Sequence, residues 1–507
     1  MTQYVLVHDI GTSGDKACLY SSDWHAAASV TVAYGTMYPG PNRVEQEPED
    51  WWRAVVLATH TLMEEAGVAA RDIVAVSFTG QMMGCVAVDG AGNSLGTAIT
   101  WADTRASLEA ERLSSTVGFE RVYEISGHRP SASYSGPKIA WVAANESALY
   151  GRAAVFLQAK DFIVARLTGV LATDPSDASG TNLFDLKRGC WSEELVNGVG
   201  IDMQKLPDVV RSASVVGGSL REASAVLGLA EGTPVVMGGG DGAVAAVGAG
   251  VIEPGEVYVS LGASAWVSRC TRRPLLDRRM QTFTFAGVVD GTFLPTGTMQ
   301  TAGLSYEWAM RLLEPEERPG REALVAEVLQ AASQVVPGAG GLVYMPYLLG
   351  ERSPHWNPRA RGALIGLTMG HTRAHIVRAV LEGVCLNLRT IYDIIVKEQA
   401  TVPAVWAVGG GTENDLYVRI LSGCLGAPVK VPRDAWRSTT LGAAIVGGVG
   451  CGLISSWEVA RTVRTEDREF STRDEEVERY EELHDLFLGA YPSVESLFGE
   501  LATLAAG

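Results

Sequence analysis

Asp9 follows an apolar run, Tyr4 to Val7, and is followed at once by Gly11-Thr12-Ser13-Gly14 and then Lys16. A carboxylate at the end of a buried strand can organise a hydrated Mg²⁺ ion. Glycines let a backbone come close to a ligand. The turn amides, with the Thr12 and Ser13 hydroxyls, can cradle phosphate oxygens. The Walker pattern G-x-x-x-x-G-K-[ST] is absent, so a nucleotide would be held in another way. A second carboxylate, Asp241, follows Gly238-Gly239-Gly240 and opens a stretch of small residues. It reads either as a helix cap or as a base kept ionised by a helix N-terminus. Such a base takes the proton of a hydroxyl that attacks a γ-phosphoryl group.

These residues need elements to hold them. A second apolar run, Ala17 to Tyr20, makes the first turn a hairpin. Val257 to Ser268 repeats the pattern, strand, Gly262-Ala263-Ser264, strand. Two such hairpins half a chain apart imply two related domains facing one nucleotide, as in the actin-like ATPases. The expected fold is therefore α/β, with two actin-like (ribonuclease H-like) domains, 1–242 and 243–507, and a nucleotide cleft between them. The strand Ile73 to Phe78 leads to Gln81, Met82 and Met83, and Ile99 to Ala102 leads through Trp101 to Asp103 and Arg105. Strand ends are where open α/β sheets present ligand sites. Trp101 can stack on a sugar face. Asp103 either accepts from hydroxyls or simply pairs with Arg105. Phe156 to Leu167 reads as one helix, Asp174 to Thr181 as a polar loop, and Pro39 to Asn42 as a loop. Gly409-Gly410-Gly411-Thr412 leads from a strand into a helix that starts at Asn414 or Asp415. His371 and His375 stand at i and i+4, but with no third ligand in the pattern they read as structural.

The chain has 507 residues, 47% hydrophobic and 20% charged, with a net charge of -17. That composition fits a soluble globular enzyme of at least two domains and argues against a nucleic-acid surface. Seven scattered Cys without C-x-x-C read as buried small residues in a reducing compartment. No basic segment precedes an apolar core at the N-terminus, and Val235 to Ile252 carries Asp241 and several Gly. The expected location is cytoplasmic, without membrane contact.

In this order, these motifs resemble the FGGY family of carbohydrate kinases, and within it the xylulokinases most. The resemblance runs from about Tyr4 to about Gly450. It also rests on Glu45-Gln46-Glu47-Pro48-Glu49-Asp50-Trp51-Trp52, Lys160-Asp161, Ser176-Asp177-Ala178-Ser179-Gly180-Thr181 and Gly350-Glu351-Arg352-Ser353-Pro354-His355. It implies transfer of the γ-phosphoryl of ATP, with Mg²⁺, to a hydroxyl of a ketopentose, D-xylulose first. Another ketose, a polyol, or a non-catalytic nucleotide- or sugar-binding protein are the alternatives. It makes Asp241 the base and Asp9 the Mg²⁺ carboxylate. Gln81, Met82, Met83, Trp101 and Asp103 would line the sugar site. Gly11, Thr12, Ser13, Lys16, Gly262, Ala263 and Ser264 would hold phosphates. Gly410, Gly411, Thr412 and Asp415 would meet the adenosine. Oligomeric state is left open, with a homodimer as one option. Two departures stand out. The family usually has Thr where this chain has Ala263, and xylulokinases usually have His where it has Met83.

Overall fold

The computed structural model describes residues 2–313, 321–397, 401–464 and 466–505. The first sheet contains β1 (Tyr4–Ile10), β2 (Gly14–Ser21), β3 (Ala26–Ala33), β4 (Ile73–Gly80), β5 (Val215–Gly218) and β6 (Pro234–Gly240), in the order β5-β6-β4-β1-β2-β3. Its main helices are α1 (Pro48–Ala66), α2 (Ala159–Thr168) and α3 (Asp241–Gly248). The second sheet contains β7 (Val257–Leu261), β8 (Ala265–Arg269), β9 (Phe283–Ala286), β10 (Phe293–Met299), β11 (Val405–Val408), β12 (Val429–Pro432) and β13 (Glu466–Phe470). Their order is β9-β10-β8-β7-β11-β12-β13. With it go α4 (Gly303–Leu313), α5 (Arg373–Val396), α6 (Asp415–Leu425), α7 (Ser438–Gly450) and α8 (Asp474–Ala505).

Both sheets share one plan. An antiparallel meander, β3-β2-β1 or β10-β8-β7, continues into two parallel strands, β4-β6 or β11-β12. β1 is central and buried on both faces, so it reads as an unbroken apolar run, whereas edge strand β3 alternates partly buried and exposed positions. The strand period of two then assigns the faces. Leu6 and Ile10 pack with Trp51, Val55 and Leu62 of α1 and Phe162 of α2, while Val5 and Val7 pack with Val244 and Val247 of α3 and Ile445 and Val446 of α7. Asp9 lies on the second face, the one turned toward the other domain. In the second sheet, Val257, Val259 and Leu261 enter a separate core with α5, α6 and α8, and Tyr258 points to the shared face.

α3 and α7 cross at that shared face. The approach requires glycine: a Cβ on Gly248 would lie 1.8 Å from the Ser438 carbonyl oxygen, and one on Gly442 would lie 2.1 Å from that of Val244. The expected division after Gly242 falls inside α3. Residues between β4 and β5 add a smaller helical layer with its own core around Leu113, Val122, Ile139 and Leu195.

Three local expectations change. Phe156 to Leu167 splits, because Val155–Leu157 is a strand paired with Val86–Val88 and only Ala159–Thr168 is helical. Pro39 to Asn42 forms the end of a hairpin, Met37–Gly40 with Arg43–Gln46. Asp174 to Thr181 contains a buried helical turn, Pro175–Ser179, capped by Asp174. All seven cysteines are free, and Cys190 is exposed. His375 completes a capping box with Thr372, and His371 bonds Thr368. Among the described residues no metal-type cluster is present, and no helix is long and apolar enough to cross a membrane.

Candidate active site

The two hairpins meet across one cavity of about 460 Å³. Thr12 of the first turn, Ala263 and Ser264 of the second, and Asp241 at the head of α3 all line it, with Gln81, Met82, Met83 and Trp101 on the same walls. A larger depression of about 970 Å³ lies between Glu120–Glu124 and Leu276–Met280. Its charges largely answer one another, as in the Arg121–Glu194 pair at 2.9 Å, and it contains neither turn. The smaller cavity is the candidate site.

The first turn is pinned from below by side chains. Tyr34 and Gln81 both donate to the Gly11 carbonyl, at 2.5 and 3.3 Å, and Gln46 donates to the Thr12 carbonyl at 2.6 Å. Gln46 is fully buried and also accepts from Gln81 and Trp51. Trp101 donates its indole N–H to the Thr12 hydroxyl at 3.0 Å. Ser13 and Lys16 are exposed, and Lys16 stands directly across the ladder from Asp9. Gln81 leaves its Oε1 buried without a partner while lining the cavity, an acceptor that a ligand hydroxyl can satisfy.

Asp9 is a buried acid, and Asp241 is half-buried at the cavity wall. Burial pushes the Asp9 carboxyl up to about 7; Lys16 opposes the shift, and Asp241 and Asp15 add to it. Burial likewise pushes Asp241 up to about 6, against the Gly242 N–H and Lys16. The helix N-terminus therefore helps the ionised form of Asp241, through the 2.6 Å bond from the Gly242 N–H, but burial outweighs it. Two carboxylates with one facing lysine make a site short of positive charge. That donor set fits a hard divalent cation.

The second turn is held by backbone. Ala302, Gly303 and Leu304, at the start of α4, donate to the carbonyls of Ala263, Gly262 and Ala263. Behind it, Gly411 packs on Leu261, where a Cβ would sit 2.8 Å from that side chain, so Gly410 and Gly411 stand beside the turn. The Thr412 hydroxyl turns inward to the Gly409 carbonyl at 2.7 Å, and Asp415 pairs with Arg468.

Asp103 departs from expectation. It is fully buried, does not line the cavity, and takes Arg105 at 2.7 Å and the Val44 N–H at 2.6 Å. Its carboxylate is committed to holding the 43–46 strand against residues 103–105, so the pairing reading of its spacing is the one the geometry has. Sequence reasoning missed Tyr258, which donates to the Gly242 carbonyl at 2.6 Å and ties β7 to α3. It also gave no role to Arg352 and Tyr134 on the cavity wall. Along the chain Tyr258 reads as part of a strand and Arg352 as part of a motif, and only the fold brings them and Tyr134 to the cavity wall.

A model of the FGGY family of carbohydrate kinases, N-terminal domain, matches residues 4–248, and the C-terminal domain model matches residues 257–451. The chain is 32% identical to a xylulose kinase of Bacillus subtilis (strain 168), over 98% of each protein, and 29% identical to a gluconokinase of Bacillus licheniformis, over 99% of this chain and 98% of that one. Its structure is similar to that of a xylulose kinase from Lactobacillus acidophilus, with a TM-score of 0.91 at 25% identity over 98% of this chain and 100% of the other. The match runs nearly end to end and takes in both halves that share the cavity; the chain belongs to the FGGY family of carbohydrate kinases.

Proposed function

We propose that this sugar kinase transfers the γ-phosphoryl of ATP to a hydroxyl of a ketopentose, converting D-xylulose to D-xylulose 5-phosphate. The observation that carries the reading is the shared cavity. It joins Asp241, both turns, and a wall of Gln81, Met82, Met83 and Trp101 in one space. In this reading Asp241 accepts the proton of the sugar hydroxyl as its oxygen bonds to the γ-phosphorus, and the bond to the ADP oxygen breaks. With its carboxyl at about 6, Asp241 is mostly ionised at neutral pH and basic enough to take that proton. Gly11, Thr12 and Ser13 on one side and Gly262, Ala263 and Ser264 on the other hold the phosphates, with Lys16 reaching from β2. Gly410 and Gly411 offer backbone to the adenosine. Asp9, with Asp241 nearby, would hold Mg²⁺, which when bound supplies charge to the phosphoryl oxygens.

A second reading is D-gluconate. Relatives named gluconokinase support it, and so does Arg352. Arg352 lines the cavity, its guanidinium over the rings of Phe283 and Trp356. The test is coupled ADP release with D-xylulose, D-ribulose, L-xylulose, erythritol and D-gluconate. The first reading expects the highest kcat/KM with D-xylulose. A preference for D-gluconate would replace it with the second, and no turnover with any of them would overturn both.

A further inference from the structure

Away from the cavity, the Lys160 ammonium lies 2.6 Å from Asp161, 3.0 Å from Asp174 and 3.0 Å from Asp177, and none of the four side chains is more than 1% exposed. Three carboxylates around one buried ammonium are a costly arrangement, and an apolar filling of the same space is often as stable or more so. Burial pushes Asp161 and Asp177 upward, in keeping with that cost.

Two chains of hydrogen bonds leave the cluster. Asp174 accepts from the Ser176 hydroxyl at 2.5 Å and the Ser212 hydroxyl at 2.7 Å, and Ser176 Oγ in turn accepts from the Gly240 N–H at 2.9 Å. Gly240 is the residue before Asp241. On the other side, the Asp177 carbonyl accepts from Gln158 Nε2 at 2.7 Å, and Gln158 Oε1 accepts from the Met83 N–H. Met83 has φ +65°, which a side chain of its size seldom adopts without support. Lys138 holds its carbonyl from the other side at 2.9 Å.

We infer that Lys160 and its three carboxylates form a positioning unit for the acceptor site, fixing Asp241 through Ser176 and Gly240 and fixing Met83 through Gln158. None of these four side chains lines the cavity, so the unit acts only through the residues it holds. The inference rests on the reading of Asp241 as the base. It separates two functions: the Ser176 arm sets the base, and the Gln158 arm sets the wall that meets the sugar.

The experiment measures kcat, sugar KM, ATP KM and thermal unfolding of the full chain for Ser176→Ala and Gln158→Met, each per mole of folded protein. Lys160→Met strips the cation from three buried acids and is expected to fold poorly, so the two outer variants carry the test. Ser176→Ala should lower kcat by on the order of tenfold to hundredfold, as for a small misplacement of a reacting group, and move the acid limb of the pH–kcat profile, with sugar KM nearly unchanged. Ser176→Thr, which keeps the hydroxyl, should restore most of kcat. Gln158→Met should raise sugar KM by about tenfold with a smaller effect on kcat. Lower unfolding temperatures with unchanged kinetics would overturn the inference, as would identical kinetic changes in both variants. Asp241→Asn is run beside them. If it is inactive while Ser176→Ala behaves as wild type, the base stands and the positioning role fails. If Asp241→Asn keeps full turnover, the base reading fails and takes the inference with it.

Discussion

The two glycine turns are built on the same strand plan and carry different chemistry. In the first, Asp9 faces Lys16 across the ladder; at the matching step of the second, Ser260 faces Trp266. The first turn offers the Thr12 and Ser13 hydroxyls, whereas the second offers Ser264 and the bare methyl of Ala263. Their supports differ as well. Side chains of Gln46, Tyr34 and Gln81 hold the first, and backbone N–H groups at the start of α4 hold the second. One turn thus concentrates charge and polar side chains, and the other contributes shape and backbone. Duplicated architecture does not require duplicated chemistry, because the ladder fixes where side chains stand and not what they are.

The largest effect expected from this division is on Asp241, which stands on the charged side. Asp241→Asn should lower kcat by ~10²–10⁴-fold, the range for a lost general base, while sugar still binds. In the wild type the rate should fall as pH drops below about 6, where the Asp241 carboxyl takes up its proton. Stopped-flow or steady-state turnover across pH checks both; a flat profile through that range would remove Asp241 from the proton transfer.

Asp9 tests the charge of the first turn. Asp9→Asn should raise the Mg²⁺ required for half-maximal rate by ~10–100-fold. It should also change stability. Burial holds the folded carboxyl at about 7 against an ordinary value of 3.8, so the native state holds a proton that the unfolded chain releases in between. Its stabilising contribution is complete below about 4 and is lost as pH rises to about 7. Thermal unfolding without nucleotide or Mg²⁺ should therefore lose stability across that window, and Asp9→Asn should flatten the slope. An unaltered slope would assign it to another buried acid.

Met83 sharpens the comparison on the cavity wall, since its sulfur accepts only weakly where a His ring nitrogen would bond a hydroxyl. Met83→His should shift the ratio of kcat/KM for D-xylulose over D-gluconate upward by about tenfold, with ATP KM unchanged. Equal ratios before and after would leave the choice to Gln81, Trp101 and Arg352.

The smallest effect belongs to the second turn. Ala263→Thr adds one neutral hydrogen bond, worth ~0.5–1.5 kcal/mol net, so ATP KM should fall by only a few fold with no change in sugar preference. A gain comparable to the loss in Asp241→Asn would mean that the second turn carries more of the phosphate chemistry than its backbone supports imply.

Much of this was legible along the chain. Apolar runs broken by Gly11 and Gly262 marked both hairpins, and Gly238-Gly239-Gly240 marked the strand-to-helix step that presents Asp241. Local signals of that kind act over a few residues, where sequence spacing and spatial spacing agree. They failed for Phe156 and Leu157, whose apolar run suits a strand or a helix until Val86–Val88 arrives to pair with it. They failed also for the segment Asp174 to Thr181, whose polar residues read as a loop until Lys160 is known to lie among them.

By itself the sequence determined the two hairpins, the glycine-led helix of Asp241 and the two-domain plan, because strand period and turn chemistry are written in neighbouring residues. Only the tertiary structure decided which polar groups remain for a ligand. It gave Asp103 to Arg105 and Val44, Thr412 to Gly409 and Asp415 to Arg468, and left Gln81 Oε1 buried without a partner. It also decided the proton balance of Asp241, since a helix N-terminus can be read from sequence but the burial that outweighs it arises only on folding. Desolvation is a property of everything packed around a group, wherever in the chain those residues lie.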